Sequence, residues 1–321
     1  MPVAKKIWMT ITSGRPLNFC ALTIGIFLVG CHSPGILRHS SPVPPPMPRR
    51  PIAPTELPGQ QIILNDRGTN FTLFIPNNWR ASASGEVILT MNFHAAEWFA
   101  IQEHLRHAAK GPIVAAYLGE GSSVYRVPFE DRERFGRWLR LVEKALSERG
   151  RGSIVSYSSI RISTVDISSF SAGYGAVREI VKSPDYRKLI RRIVLCDSMY
   201  ASFDENKKPA RENIEPWFEF ARAAARGEKT FVLTHSEVPT ASYANSAACA
   251  RALTEAIGAP IHEIKPGELP AAADANYPIR YRADLKNFHV WGYAGTDPQA
   301  HMSHPRHLAE VWMALDAVGE P

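Results

Sequence analysis

Cysteine is scarce in this chain, with 4 in 321 residues. Cys20 and Cys31 fall within the first forty residues, which leaves Cys196 and Cys249 for the remainder. A disulfide-stapled scaffold is thereby excluded, and a chain of this length buries enough surface to fold without staples. Cys196 follows Ile-Val-Leu and reads as a small core residue, although a Cys196–Cys249 bridge stays open. A spanning helix is also lacking where the chain is most apolar. The run at residues 19–30, FCALTIGIFLVG, falls short of the ~20 residues a bilayer requires. Dense basic stripes with interleaved aromatics are absent too. The net charge of +6 is diffuse, which suits an anionic surface such as a membrane or cell wall and argues against nucleic acid. No internal repeat is visible, so solenoid and propeller architectures drop out.

What is present begins with a targeting pattern. Lys5, Lys6 and Arg15 form a basic segment, the apolar run follows, and Leu28-Val29-Gly30 leads into Cys31. This order resembles the lipobox of bacterial lipoproteins, in which small residues precede a cysteine that is lipidated and becomes the new N-terminus. The resemblance implies a signal peptide over residues 1–30, lipidation at Cys31, export to the bacterial cell envelope and a lipid anchor in a membrane. Prolines at positions 42, 44, 45, 46, 48, 51, 54 and 58 remove backbone donors and favour polyproline II. Residues 31–58 therefore read as a semi-rigid spacer, with the folded domain over 59–321.

From there, strand and helix patterns alternate. QQIILN and NFTLFIP suit a hairpin around Asp66-Arg67-Gly68. EVILTMNFH and PIVAAYLG read as strands separated by a helix over 97–109, and apolar positions recur at helical spacing through FEDRERFGRWLRLVEKALSERG. STVDISSFS, IRRIVLCDS, KTFVLTHS and NFHVWGYAG read as further strands. Helices are expected at AGYGAVREIVKS, EPWFEFARAAARG, ANSAACARALTEAIG and PRHLAEVWMALDAV. Such alternation predicts a three-layer α/β/α sandwich with a mostly parallel, doubly wound sheet and an antiparallel N-terminal hairpin.

The stretch DISSFSAGYGAV, residues 166–177, sits at one strand-to-helix junction. There Ser169-Phe170-Ser171-Ala172-Gly173 resembles the nucleophile elbow of the α/β-hydrolase superfamily, whose pattern is G-x-S-x-G. Ser169 stands where the family has glycine, a departure that keeps a small residue. Gly175 and Ala176 are expected to let the next helix approach the sheet.

The resemblance implies a serine hydrolase of the carboxylic-ester type, with a Ser-His-Asp triad, an acyl-enzyme intermediate and no cofactor. The chain order is nucleophile, acid, base. Ser171 is then the nucleophile. Asp197, which directly ends its strand, is the favoured acid, with Glu237 one strand later as the alternative. A helix N-cap is the competing reading of Asp197. His301, in the segment after the last strand, is the favoured base and His304 its rival, whereas His307 reads as a helix residue. Oxyanion donors are expected at the amides of Ala172 and Ala96, with Ala95 as a neighbouring candidate and His94 structural. His301, His304 and His307 are spaced like metal ligands, but Pro305 interrupts their face and no matching Glu signature accompanies them, so no metal is expected. Trp98, Tyr117, Trp217 and Phe218 are candidate pocket aromatics. The expected partner is a small-molecule, lipid or cell-envelope ester. The reading from another class is a surface lipoprotein that keeps this fold and only binds a ligand or envelope polymer. Oligomeric state and the scissile bond do not follow from these motifs.

Overall fold

A computed structural model describes residues 41–48, 53–107, 109, 111–150, 160–265, 267–269 and 276–319. The proposed signal peptide and Cys31 lie outside the described residues. The chain enters through β1 (Gly59–Asp66) and β2 (Thr69–Pro76), followed by β3 (Glu86–Phe93), α1 (Glu97–Arg106) and β4 (Ile113–Ala116). Then come α2 (Ser123–Phe129), α3 (Arg134–Gly150), β5 (Arg161–Phe170), α4 (Tyr174–Ile180), α5 (Pro184–Leu189) and β6 (Ile190–Cys196). The second half contributes α6 (Arg211–Ile214), α7 (Phe218–Arg226), β7 (Thr230–His235), α8 (Ser246–Ile257), β8 (Ile261–Glu263), β9 (Ile279–Leu285), β10 (Phe288–Tyr293), α9 (Pro298–Ser303) and α10 (Leu308–Asp316).

The strands form one sheet in the order β1-β2-β4-β3-β5-β6-β7-β10-β9-β8. Neighbours from β4 to β10 pair in parallel, and antiparallel pairs close both edges. This is an α/β-hydrolase fold. Arg67 and Gly68, with φ of 51° and 82°, make the tight turn of the first hairpin. The antiparallel extension by β8 and β9 is absent from the sequence-based expectation. β8 is three exposed residues, whereas β9 alternates Ile279, Tyr281, Ala283 and Leu285 with arginine and aspartate, a period-two strand signal missing from that expectation. Two further expectations need adjustment. The helical pattern over 129–150 forms α3 from Arg134, the short α2 ahead of it is unforeseen in the sequence-based expectation, and β4 covers only four residues.

Side chains from the central strands alternate between two cores. Ile193 and Leu195 of β6 face one core with Trp138 of α3, Val177 of α4, Phe220 of α7 and Leu253 of α8. Val194 and Cys196 face the other, with Trp312 of α10. Phe231 and Val232 divide β7 in the same way. A strand buried on both faces is apolar throughout, which is why these segments were legible as runs. Cys196 and Cys249 are buried free thiols.

The proline-rich stretch behaves differently from a free spacer. Pro42 and Pro44 are buried, and Met47 is 1% exposed within the core that holds Tyr293, Leu308 and Trp312. Tyr293 donates its hydroxyl to the Pro45 carbonyl at 2.7 Å. Residues 42–48 thus pack on the domain ahead of residue 59. Composition alone could not register this, because proline carbonyls remain good acceptors and one methionine suffices to fill a groove.

The sheet also locates a crevice. From β3 the chain moves outward to β4, and from β5 it moves the other way to β6. Adjacent strands whose connections diverge leave an opening beyond their carboxyl ends.

Candidate active site

Ser171 emerges at the end of β5, where the chain turns directly into a short 3₁₀ segment and then α4. Its φ is 45°, a left-handed value that a residue with a Cβ adopts only when its surroundings enforce it. The tightness has a specific cause. A Cβ added to Gly173 would lie 2.3 Å from the Phe93 carbonyl oxygen, so the elbow is pressed against the end of β3. At Gly175 an added Cβ would come within 2.5 Å of the Ser122 carbonyl, so the small residue there serves contact with α2 and not with the sheet. Ser169, at the unusual position, is buried and shares a 2.8 Å hydrogen bond with Ser198.

Three side chains from separate elements converge. Ser171 Oγ lies 3.0 Å from His301 Nε2, and His301 Nδ1 lies 2.9 Å from Asp197 Oδ2. Asp197 follows β6 and is 2% exposed. Burial by itself pushes its carboxyl up and is the largest single influence, and the hydrogen bond from His301 opposes it. With the fields of His304 and His301 and a bond from Ser236, the carboxyl is held at about 2. Ser236 Oγ donates to the same Oδ2 at 2.5 Å. An ionised carboxylate only accepts, so Nδ1 of His301 carries the proton and Nε2 presents its lone pair to the Ser171 hydroxyl. His301 sits in α9, a short helix in the segment that the sequence suggested was loop.

The rival residues lie elsewhere. His304 is fully buried, with Nδ1 2.8 Å from Thr234 Oγ1, and burial pushes its imidazole down to about 3. Glu237 is exposed, and its amide donates to the Gly295 carbonyl. His307 is buried in the 3₁₀ turn before α10. Among the described residues no group of acidic, histidine or cysteine side chains is arranged to hold a metal ion.

A cleft of about 610 Å³ opens over Ser171, lined among others by His94, Ala172, Tyr174, Tyr200, Tyr243 and His301. The aromatic candidates Trp98, Tyr117, Trp217 and Phe218 do not line it. Trp217 is core, whereas Tyr174, Tyr200 and Tyr243 form the wall that sequence reasoning missed. Tyr174 carried a signal, since it lies three residues after the elbow serine. Ser236 and Tyr243 carried none, because they arrive in the cleft from a loop. On the side of β3, His94 and Ala95 are both left-handed, with φ of 68° and 73°. His94 Nδ1 bonds Tyr125 at 2.9 Å, and burial lowers its imidazole. Among the described residues the amides of Ala95, Ala96 and Ala172 have no acceptor. Ala95 is half-buried and Ala96 is exposed at the start of α1, and neither is among the residues lining the cleft.

No protein-family model matches the chain, and no curated protein matches it. Among solved structures it is similar to an uncharacterised protein from Capnocytophaga ochracea, at 13% identity and a TM-score of 0.45, covering 80% of this chain and 63% of that one. The chain therefore spans less than two thirds of that protein's length. A poly(3-hydroxybutyrate) depolymerase from Bordetella parapertussis is 11% identical over 79% of this chain and 89% of its own, with a TM-score of 0.41. A siderophore hydrolase from Aspergillus nidulans is 14% identical over 82% of this chain and 96% of its own, also at 0.41. These are likenesses of overall shape. The strand order and connections of the chain itself assign the fold.

Proposed function

We propose that the chain is a serine hydrolase acting on carboxylic esters. The observation that supports this most is the continuous line from Ser171 Oγ through His301 to the buried Asp197, at the mouth of a cleft. In the proposed reaction His301 Nε2 takes the Ser171 proton as Oγ adds to the ester carbonyl. The carbonyl oxygen becomes an oxyanion held by backbone amides, Ala172 among them, at the start of the elbow turn. Collapse breaks the ester C–O bond, and the imidazolium returns its proton to the departing alkoxide. Water, deprotonated by the same nitrogen, then releases the acid and restores Ser171. Asp197 fixes the Nδ1–H tautomer and stabilises the imidazolium.

A fluorophosphonate probe tests this reading. Wild type is expected to be labelled and to hydrolyse a simple aryl ester, and Ser171→Ala to lose both. Probe uptake that persists in Ser171→Ala and disappears in Ser169→Ala would move the nucleophile.

The proposal extends to location. Leu28-Val29-Gly30-Cys31 after a short apolar run supports export and lipidation at Cys31, with a lipid or cell-envelope ester as substrate. Among the described residues no helix is long and apolar enough to cross a membrane. Mass spectrometry of membrane-extracted protein decides the point, and residues 1–30 still attached would end it.

A further inference from the structure

We propose that Asn92, Ser198 and Tyr200 are positioning residues, each pinning the carbonyl of a site residue held in a left-handed backbone. The inference rests on the serine-hydrolase reading and concerns what keeps that site in shape.

Among the described residues the non-glycine positions with positive φ are Arg67, His94, Ala95, Ser171, Asp197, Lys207 and Lys286. Arg67, Lys207 and Lys286 are exposed and Ala95 is half-buried, and no described side chain donates to any of these four carbonyls. His94, Ser171 and Asp197 are the first residues beyond β3, β5 and β6, with φ of 68°, 45° and 45°. Each has a side-chain donor on its carbonyl oxygen. Asn92 Nδ2 donates to His94 O at 2.6 Å, Ser198 Oγ to Ser171 O at 2.8 Å, and the Tyr200 hydroxyl to Asp197 O at 3.0 Å. Strained backbone persists only where contacts over-determine it, and these donors supply such contacts.

Peptide planarity gives the pins a chemical consequence. The carbonyl of one residue and the amide of the next share a rigid plane and point in opposite directions. Holding Ser171 O therefore aims the Ala172 N–H, and holding His94 O aims the Ala95 N–H. Neither amide has an acceptor among the described residues. The pins thus point to Ala172 and Ala95, not Ala96, as the pair that meets the oxyanion. Donors fixed before the reaction need no reorganisation as charge develops.

The pins are themselves held. The single hydroxyl proton of Ser198 goes to the Ser171 carbonyl, so in the 2.8 Å contact with Ser169 it is Ser169 that donates. That gives the serine at the family's glycine position a task. Asn92 is oriented by the Ser168 hydroxyl, which donates to Asn92 Oδ1 at 2.8 Å and lies 3.0 Å from His104 Nε2. The Tyr200 ring packs between Tyr174 and Tyr243.

The test uses Ser198→Ala and Tyr200→Phe in the full chain, with aryl-ester kinetics, fluorophosphonate labelling rates and melting temperatures. Loss of one neutral hydrogen bond that is needed in the transition state predicts a kcat lower by roughly three- to tenfold in Tyr200→Phe. Ser198→Ala, which also orphans Ser169, is expected to lose about tenfold or more in kcat, with KM within about twofold and labelling slowed in parallel. Lys207→Gly, at an unpinned left-handed turn, is expected to leave kcat unchanged. Variants that melt earlier yet retain wild-type kcat per probe-titrated molecule would make the donors merely structural and overturn the proposal. If Ser198→Ala does not fold, Tyr200→Phe alone carries the decision, since it keeps the ring. A wild type that neither hydrolyses esters nor takes the probe removes the serine-hydrolase reading, and this proposal with it.

Discussion

Asp166 and Asp197 are both buried in the same sheet, 3% and 2% exposed, and are compensated in opposite ways. Asp166, within β5, accepts paired hydrogen bonds from Arg191 at 3.1 and 2.7 Å and from Arg192 at 3.0 and 2.7 Å. Its partners are permanent cations that deprotonate at no ordinary pH. Asp197, beyond β6, has a hydroxyl and an imidazole instead. A carboxylate surrounded by guanidinium groups is already neutralised and has no charge left to offer. One held by neutral donors gains when its histidine becomes charged, which is what a general base in a triad undergoes. Ionic pairing thus marks the structural aspartate, and its absence marks the one suited to chemistry.

The sharpest way to break this contrast is to replace both carboxylates by amides. Asp197→Asn presents an amide to His301 and favours the wrong tautomer, so kcat is expected to fall roughly 10³- to 10⁴-fold with little change in melting. Asp166→Asn is expected to do the reverse. It removes the shared carboxylate of Arg191 and Arg192, leaving Arg192 with Asp316 at 2.7 Å, and is expected to cost about 3 kcal/mol of stability by urea unfolding, while kcat per folded molecule stays near wild type. Equal loss of activity in both variants would dissolve the distinction.

Acid pH tests a buried group beside the pair. His304 beside the site is held neutral, its imidazole pushed down to about 3 by burial, against ~6.5 in an unfolded chain. The unfolded state therefore binds the proton first. The stability this group contributes is complete above about pH 6.5 and drains away as pH falls toward 3, by up to ~1.4 kcal/mol per pH unit. His104 is displaced in the same direction by burial, so the two add. Urea midpoints from pH 7 to pH 4 are expected to fall in wild type, with a shallower slope in His304→Gln. Superimposable slopes would exclude His304 as a source.

Legibility in the sequence followed the range of the forces involved. The turn at Arg67-Gly68, the apolar runs of β3, β5, β6 and β7, and the elbow at Ser171 depend on residues a few positions apart, where periodicity and small side chains are direct signals. Tyr174 and Ser198 were legible only in hindsight, as neighbours of Ser171 and Asp197. Residues 42–48 misled because composition describes what a free chain prefers, and here Met47 and the Pro45 carbonyl find a partner surface.

By itself the sequence determined the alternation of strands and helices, the serine at a strained junction, and the presence of acids and histidines in the order a triad needs. Only the tertiary structure chose the partners, bringing Asp197 and His301, not Glu237 and His304, into hydrogen-bonded line with Ser171. Those choices join residues 104 and 130 positions apart, and they hang on strand order, on the left-handed turns beyond β5 and β6, and on how α9 seats its histidine. Local pattern sets which way a residue can point along its own strand or helix. Which side chains meet is fixed by the packing of all the elements between them, and that packing appears in no short stretch of sequence.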